Sequence, residues 1–433
     1  MTQSDTSRKS QNPRALTAVT VPPGMGGVLK LASVIGPALD GSGPAIAPMA
    51  DSPEFVVKQT RVALRPDDPK FPLESNDIAI VCATSGSTGT PRGVLLSQQA
   101  LSASATAFGN RFGTNNRWVV SMPVHRIAGI MVLVRSWFHS SPFEIDPSVG
   151  GARTFEAAAF AATTMRAVRE SNNDGRALMV SLVPTQIARL IESGSVGIEA
   201  LQSYDLVLSG AAATPQPMLN KMRELGIKVS ISYGMTETCG GCVFDGRPLD
   251  GVSVSLGTKD DIEPGRVTIS GTVAASGYRL RPDLDAVSFI SGQVQTHDVG
   301  KLDPSGLLHI LGRMDDVVTV GGVNVALSAV ESLIRHHSAI EDVAVIDLQD
   351  ELWGSIPVAY IVTRNNVSDT SSLISEVQAT VRDQIGRAAV PRTVQIVNSL
   401  PMLDSGKIDR ISLRMQAANE MTQKLFPHPG TNH

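Results

Sequence analysis

The chain has only three cysteines in 433 residues, Cys82, Cys239 and Cys242, so they cannot all pair and a disulfide framework is excluded. "CGGC" at 239–242 has the spacing of a metal or redox pair, but no second pair follows for zinc and no βαβ redox context surrounds it. Packing thiols are expected. No run reaches the ~18 apolar residues of a membrane helix. The opening "MTQSDTSRKSQNPRALTAV" carries charge without the apolar core of a secretion signal. The default address is therefore cytoplasmic. An excess of one charge is missing too, because 37 Lys+Arg against 41 Asp+Glu give a formal net charge of −4. A generally basic nucleic-acid-binding surface is not indicated, which leaves room only for a local patch. Neither an internal repeat nor a low-complexity block occurs.

What is present fits a globular protein: 42% hydrophobic and 18% charged residues, in a length that exceeds what one core usually supports. Residues 1–20 read as a flexible tail. From about 77 to 235, short apolar runs alternate with helix-period segments. "IAIVCAT" is followed by a helix pattern at 97–108, "RWVVSMP" by "IAGIMVLVRSWF", and "RALMVSLVP" by a helix through Leu190. "YDLVLSG" precedes "PQPMLNKMREL", and "IKVSISYG" ends at 234. This alternation predicts an α/β fold of parallel sheet layers with covering helices. In such sheets ligands gather beyond the strand C-termini, where a glycine-rich loop, Ser209–Ala213 and Tyr233–Glu237 all fall. Residues 242–311 read instead as short antiparallel strands. Beyond "GRMDD" (312–316) strands at 343–348 and 356–363 and a helix near 371–386 make a compact α+β end. The expected domains are therefore 21–311 and 317–433, joined at 312–316.

The glycine-rich stretch "ATSGSTGTPRG" (83–93) follows a buried-strand pattern. Successive N–H groups and hydroxyls there make an anion-binding concavity, with a plain surface turn as the alternative. A Walker loop is excluded, since Arg92 and Gly93 are followed by Val94 rather than by Lys and Ser/Thr. The run "TSGSTGTPRG" resembles the phosphate loop of the adenylate-forming superfamily, which includes acyl-CoA synthetases, peptide-synthetase adenylation domains and luciferases. Five more stretches resemble that superfamily's motifs in order: "YGMTE" (233–237), "THDVGKLD" (296–303), "GRMDD", "GGVNVALSAVE" (321–331) and "PMLDSGKIDR" (401–410). The resemblance spans residues 84–410.

It implies carboxylate activation in two steps, with ATP, Mg²⁺ and coenzyme A as cofactor and co-substrates and a mobile C-terminal domain. Thr84, Ser85, Gly86, Ser87, Thr88 and Gly89 would hold the phosphates, with Arg92 where relatives more often have lysine. Thr236 would reach the α-phosphate and Glu237 would ligate Mg²⁺. Ser209, Gly210, Ala211 and Ala212 would lie against adenine, with Tyr233 and Gly234 on its other face. Asp298 and Arg313 would take the ribose. Asp315 would be the hinge, and Lys407 would bridge the attacking carboxylate and the α-phosphate.

Three further stretches, "SMPVHRIAGIMVLVRS" (121–136), "SLVPTQIARL" (181–190) and "YGMTETCGGCVFDGRPLDGV" (233–252), look like the o-succinylbenzoate–CoA ligases of menaquinone biosynthesis. That acid has an aromatic ring and a second carboxylate, so its pocket needs an apolar face and a cation. Arg189 is the candidate cation, with Arg126 and Arg135 as rivals; His125 would line the acyl pocket, and Ser209, Gly240 and Gly241 its floor. Position 126 departs from relatives, which often have a second histidine, and position 87 is serine where threonine is usual. A ligase for another aryl or short-chain acid, a carrier-loading adenylation enzyme and an inactive nucleotide binder stay open as alternatives. So does homo-oligomerisation.

Overall fold

The computed structural model describes residues 13–51, 53–85, 91–258, 263–350, 352–364, 369–402 and 408–425. For Ser85, Asp315 and residues 418–425 it describes the backbone only. The chain folds as two compact units. The first holds the chain up to Val180 with Gly234–Cys242 and Gly271–Gly292, and the second holds Ser181–Tyr233, Val243–Ser270 and everything from Gln293 on.

A five-stranded sheet organises the first unit, in the order Leu16–Val21, Ala45–Ala50, Ile78–Ser85, Pro91–Ser97 and Gly277–Tyr278. Its first three strands are parallel and the remaining two antiparallel. The reading of residues 1–20 as a tail is thereby corrected at its end. Leu16 to Val21 pair in register with Ala45 to Ala50, and Leu16, Val19 and Val21 are buried. Six residues of "LTAVTV" are too short for a periodicity signal, and their partner strand lies 29 residues further on. The glycine-rich stretch runs into the strand Pro91–Ser97, with Thr84 opposite Arg92, ahead of the helix expected at 97–108. The helix Gln98–Phe112 starts after that strand, where the Ser97 hydroxyl accepts from the Ala100 N–H at 3.0 Å and caps it. Elsewhere in this unit the expected alternation holds. The buried strand Asn116–Val120 runs parallel to Phe143–Ile145 on one side and to residues 177–180 on the other, and precedes the helix Ile127–Phe138.

In the second unit, Leu206–Ser209 pairs in parallel with Val229 to Ile231, and the helices Pro184–Glu192 and Gln216–Glu224 follow the pattern read from sequence. Gly265–Gly271, Gln293–Leu302 and Leu308–Arg313 form the expected antiparallel run. The C-terminal stretch is a sheet covered on both faces. Val343, Val345, Ala359 and Ile361 pack with Val330, Ile334, Leu373 and Val377 from helices Leu327–Arg335 and Thr370–Gln384. The alternate residues Ala344, Ile346, Val358 and Tyr360 face Leu413 and Ala417 of helix Arg410–Leu425. Each fully buried aliphatic side chain of this kind contributes about 1.5–3 kcal/mol. Two-sided burial explains why these strands read as continuous apolar runs rather than as alternating ones.

Candidate active site

Two clusters form, one inside each unit. In the first unit the turn Thr236–Thr238 is shaped by its own hydroxyl. Thr238 Oγ1 accepts from the Met235 N–H at 2.9 Å and donates to the Gly240 carbonyl at 2.9 Å. The chain then passes through left-handed backbone at Cys239 (φ 51°) and Gly240 (φ 82°). A Cβ on Gly240 would meet Met131 Cγ at 3.0 Å, so a side chain at this floor position would press on the methionine and strain the left-handed backbone. A Cβ at Gly234 would meet the Gly240 carbonyl oxygen at 2.1 Å, so glycine there permits the close approach.

This turn presents Glu237, half-buried, and sets it against a residue that sequence reasoning missed. Tyr278 donates its hydroxyl to Glu237 Oε1 at 2.8 Å, while the Ala275 N–H donates to the Glu237 carbonyl. Burial and the neighbouring carboxylate push the Tyr278 hydroxyl well above the usual phenol range, so it stays a donor at neutral pH. The charge of Arg92 also acts on that hydroxyl, which links Arg92 to the Glu237 cluster. Tyr278 sits where it does because Gly277–Tyr278 pairs with Leu95 and Val94, almost two hundred positions away in the chain. A sequence-local reading assigned it to the antiparallel run at 242–311. Thr84 lies on the strand Ile78–Ser85, which pairs with the other edge of Pro91–Ser97, its hydroxyl 3.5 Å from the Arg92 carbonyl.

His125 precedes the helix Ile127–Phe138. Burial, aided by the Arg126 charge, pushes its pKa down to about 4, so the ring is neutral at pH 7. Its Nε2 is buried and has no hydrogen-bond partner among the described residues, and the same holds for Arg126 Nε. Arg135 does not serve as an open carboxylate receptor. Its guanidinium is buried and stacks 4.0 Å from the Phe108 ring, and burial pushes its pKa down to about 9. All three cysteines are free and buried, as packing thiols would be.

In the second unit three predicted residues meet. Tyr233 donates to Asp298 Oδ2 at 2.7 Å, and Arg313 Nη1 lies 3.7 Å from Asp298 Oδ1. Asp298 and Arg313 are register partners on neighbouring antiparallel strands, which fixes their approach. Asp298 is 8% exposed and its N–H donates to Thr296 Oγ1. At the end of Leu206–Ser209, the buried Ser209 hydroxyl is 2.8 Å from Thr214 Oγ1, so this turn offers backbone rather than the serine side chain. Gly210 follows, its N–H donating to the Leu182 carbonyl; Ala211 (φ 63°) and Ala212 are exposed small residues. Arg189 is exposed on Pro184–Glu192, with no ion-pair partner among the described residues. It joins neither cluster, and Gly241, half-buried, follows the floor glycine in the first. Asp315 lies in the turn Met314–Asp316. Gly86, Ser87, Thr88, Gly89 and Lys407 lie outside the described residues.

A half-buried carboxylate held by a phenol, and a buried aspartate flanked by a tyrosine and an arginine, suit nucleotide and metal contacts, and the wider chain agrees. The chain belongs to the AMP-binding enzyme family, whose profile matches residues 32–278, while that of the AMP-binding enzyme C-terminal domain matches residues 329–407. Among its relatives is a probable 2-succinylbenzoate–CoA ligase of Mycobacterium tuberculosis, 35% identical over 390 residues, covering 89% of this chain and 94% of the relative. Two solved structures share the fold. One is o-succinylbenzoate CoA synthetase from Bacillus subtilis with the acyl-adenylate intermediate (TM-score 0.69, 23% identity, 93% of this chain and 88% of that one). The other is ATP-bound MatB from Rhodopseudomonas palustris (TM-score 0.78, 21% identity, 95% and 90%).

Proposed function

We propose that this chain is an AMP-forming acid–CoA ligase that converts o-succinylbenzoate to o-succinylbenzoyl-CoA in menaquinone biosynthesis. The observation that carries the reading is the contact of Asp298 with both Tyr233 and Arg313, which supports a ribose role for Asp298 and Arg313 beside an adenine role for Tyr233. The 35% identity to a probable 2-succinylbenzoate–CoA ligase supports the choice of acid.

In the first half-reaction a carboxylate oxygen attacks the α-phosphorus of ATP, the bond to the bridging oxygen breaks, and pyrophosphate leaves. Anion attacks anion, so the protein must supply positive charge and alignment rather than covalent help. Asp298 accepts from the ribose hydroxyls, with Arg313 beside it. Thr84 to Gly89, Arg92 and Thr236 take the phosphates, and Ser209 to Ala212 lie against adenine. Lys407 offsets the repulsion between the reacting anions.

The residues fit Mg²⁺. Among the described residues no three His, Cys, Asp or Glu gather as a metal cage, and Glu237 stands as a single carboxylate. Magnesium is ordinarily bound by one or two carboxylates together with substrate phosphates and water. Glu237, with Tyr278 donating to its Oε1, would hold the ion, which would neutralise phosphate charge.

In the second half-reaction the CoA thiol attacks the acyl carbon and AMP departs. We place the pivot between the two steps at Asp315, with "GGVN" replacing the lysine segment. Neutral His125, beside the cation of Arg126, lines the acyl pocket over the Gly240–Gly241 floor. To Arg189, exposed and without an ion-pair partner among the described residues, we assign the carboxylate that does not react. ATP and CoA are cytoplasmic pools, which places the enzyme there. Pyrophosphate release measured with o-succinylbenzoate, benzoate and fatty acids, with and without CoA, tests the proposal. Turnover confined to monocarboxylates would reject the acid, and loading of a carrier protein in place of CoA would reject the ligase.

A further inference from the structure

The C-terminal motif "PMLDSGKIDR" ends in Arg410, and "GGVNVALSAVE" ends in Glu331. Neither terminal residue has a part in the chemistry described above, yet the fold joins them. Glu331, on helix Leu327–Arg335, is 7% exposed and carries its charge into the C-terminal unit's interior. Arg410 Nη2 lies 2.8 Å from Glu331 Oε2, and Arg410 Nη1 donates to the Val345 carbonyl at 3.1 Å. The Val345 N–H donates to the same Glu331 oxygen at 3.1 Å. One residue of the strand Ile340–Asp350 is thus held twice along the same edge, the Val345 carbonyl by the arginine and the Val345 N–H by the glutamate. Arg335 satisfies the other oxygen, Glu331 Oε1, at 3.0 Å and also donates to the Val343 carbonyl at 2.8 Å.

Several weaker ties converge on the same short stretch. Met402 and Ile408 form an antiparallel bridge, and the Asp409 N–H donates to the Pro401 carbonyl at 2.8 Å. Asp409 then caps helix Arg410–Leu425, accepting from the Ser412 N–H at 3.0 Å and the Ser412 hydroxyl at 2.7 Å. Both flanks of the lysine segment are therefore fixed, and the charged tie is the one at its C-terminal flank. A guanidinium that meets a carboxylate and a carbonyl with two nitrogens defines direction as well as distance.

We propose that the Arg410–Glu331 pair is a positioning pair for the adenylation step, holding the chain at the residue three places beyond Lys407. The inference rests on the role given to Lys407 above. A side chain that must bridge two anions tolerates little displacement, and a misplacement of about 1 Å costs roughly 100-fold in rate. The thioester half-reaction does not use Lys407, so it does not depend on this tie. A merely structural pair would act on both half-reactions alike.

The test compares Arg410→Gln, Arg335→Gln and Lys407→Ala in two assays: acid-dependent ATP–pyrophosphate exchange, and thioester formation from supplied acyl-adenylate. Arg335 is the internal control, because it binds Glu331 without touching the lysine segment. Arg410→Gln is expected to lower exchange by about 100-fold while leaving thioester formation within about three-fold. Arg335→Gln is expected to lower the melting temperature about as much as Arg410→Gln does, with neither half-reaction singled out. Equal loss of both half-reactions in Arg410→Gln overturns the inference. So does exchange within about three-fold of the parent in that variant when Lys407→Ala abolishes it. Should Lys407→Ala leave exchange intact, the underlying role of the lysine fails instead. Arg410→Lys keeps the charge but not the two-nitrogen grip, and it reads the same split if Arg410→Gln does not fold.

Discussion

Replacing Asp298 with asparagine removes one charge from the proposed ribose contact and almost nothing else. The amide oxygen can still accept the Tyr233 hydroxyl that now sits 2.7 Å from Oδ2. The amide nitrogen then faces Arg313, whose side chain is 47% exposed and 3.7 Å away, so it can turn into water. An ion pair of that geometry is worth about 1 kcal/mol or less, and folding stability should change by no more. Binding should change more. Hydrogen bonds to a charged group contribute about 1.5–3 kcal/mol, and every 1.4 kcal/mol is about tenfold in affinity. The KM for ATP should therefore rise roughly 10- to 100-fold in pyrophosphate release, with kcat much less affected, because the ribose is bound equally in ground and transition states. An unchanged KM for ATP together with a lowered unfolding temperature would show that Asp298 is a structural group, and the ribose assignment would fall.

Tyr278→Phe frees Glu237 Oε1 of the Tyr278 hydroxyl; the Mg²⁺ concentration for half-maximal rate should rise several-fold, and a magnesium titration reads it. His125 stays neutral in the folded protein down to about pH 4 but takes a proton near pH 6.5 when unfolded. Its contribution to stability is thus complete above pH 6.5 and is lost as pH falls toward 4, by up to about 3 kcal/mol. His125→Gln should flatten that part of a pH-dependent urea unfolding series. Arg189→Ala should raise the KM for o-succinylbenzoate about tenfold or more while leaving that for ATP unchanged, and steady-state kinetics with each substrate varied distinguishes the two.

The nucleotide motifs were legible because each packs its chemistry into a few adjacent residues. Tyr233, Asp298 and Arg313 could be named from three separate stretches, and the fold brings them within bonding reach. Tyr278 was not legible in that way. Its partner strand is Pro91–Ser97, and strand pairing across nearly two hundred residues leaves no local period to read. Strand Leu16–Val21 escaped for the same reason, being short and completed only by Ala45–Ala50. Arg135 illustrates the opposite error. An arginine in "VLVRSWF" invites a surface or substrate role, but the helix is buried around it and Phe108 supplies the ring it lies on. Burial of a long cation beneath aromatic rings is decided by the neighbouring helix and strand, which the local sequence does not reveal. Glu331 and Arg410 were visible as motif ends, but their pairing depends on the Ile340–Asp350 strand that lies between them in the chain.

A single incubation reads the whole reaction: purified protein, ATP, Mg²⁺, o-succinylbenzoate and CoA, with products followed by mass spectrometry. o-Succinylbenzoyl-CoA is expected with equimolar AMP and pyrophosphate, and the acyl-adenylate should accumulate when CoA is withheld. Release of ADP and phosphate, or acid-independent ATP cleavage with no thioester, would contradict the proposed function.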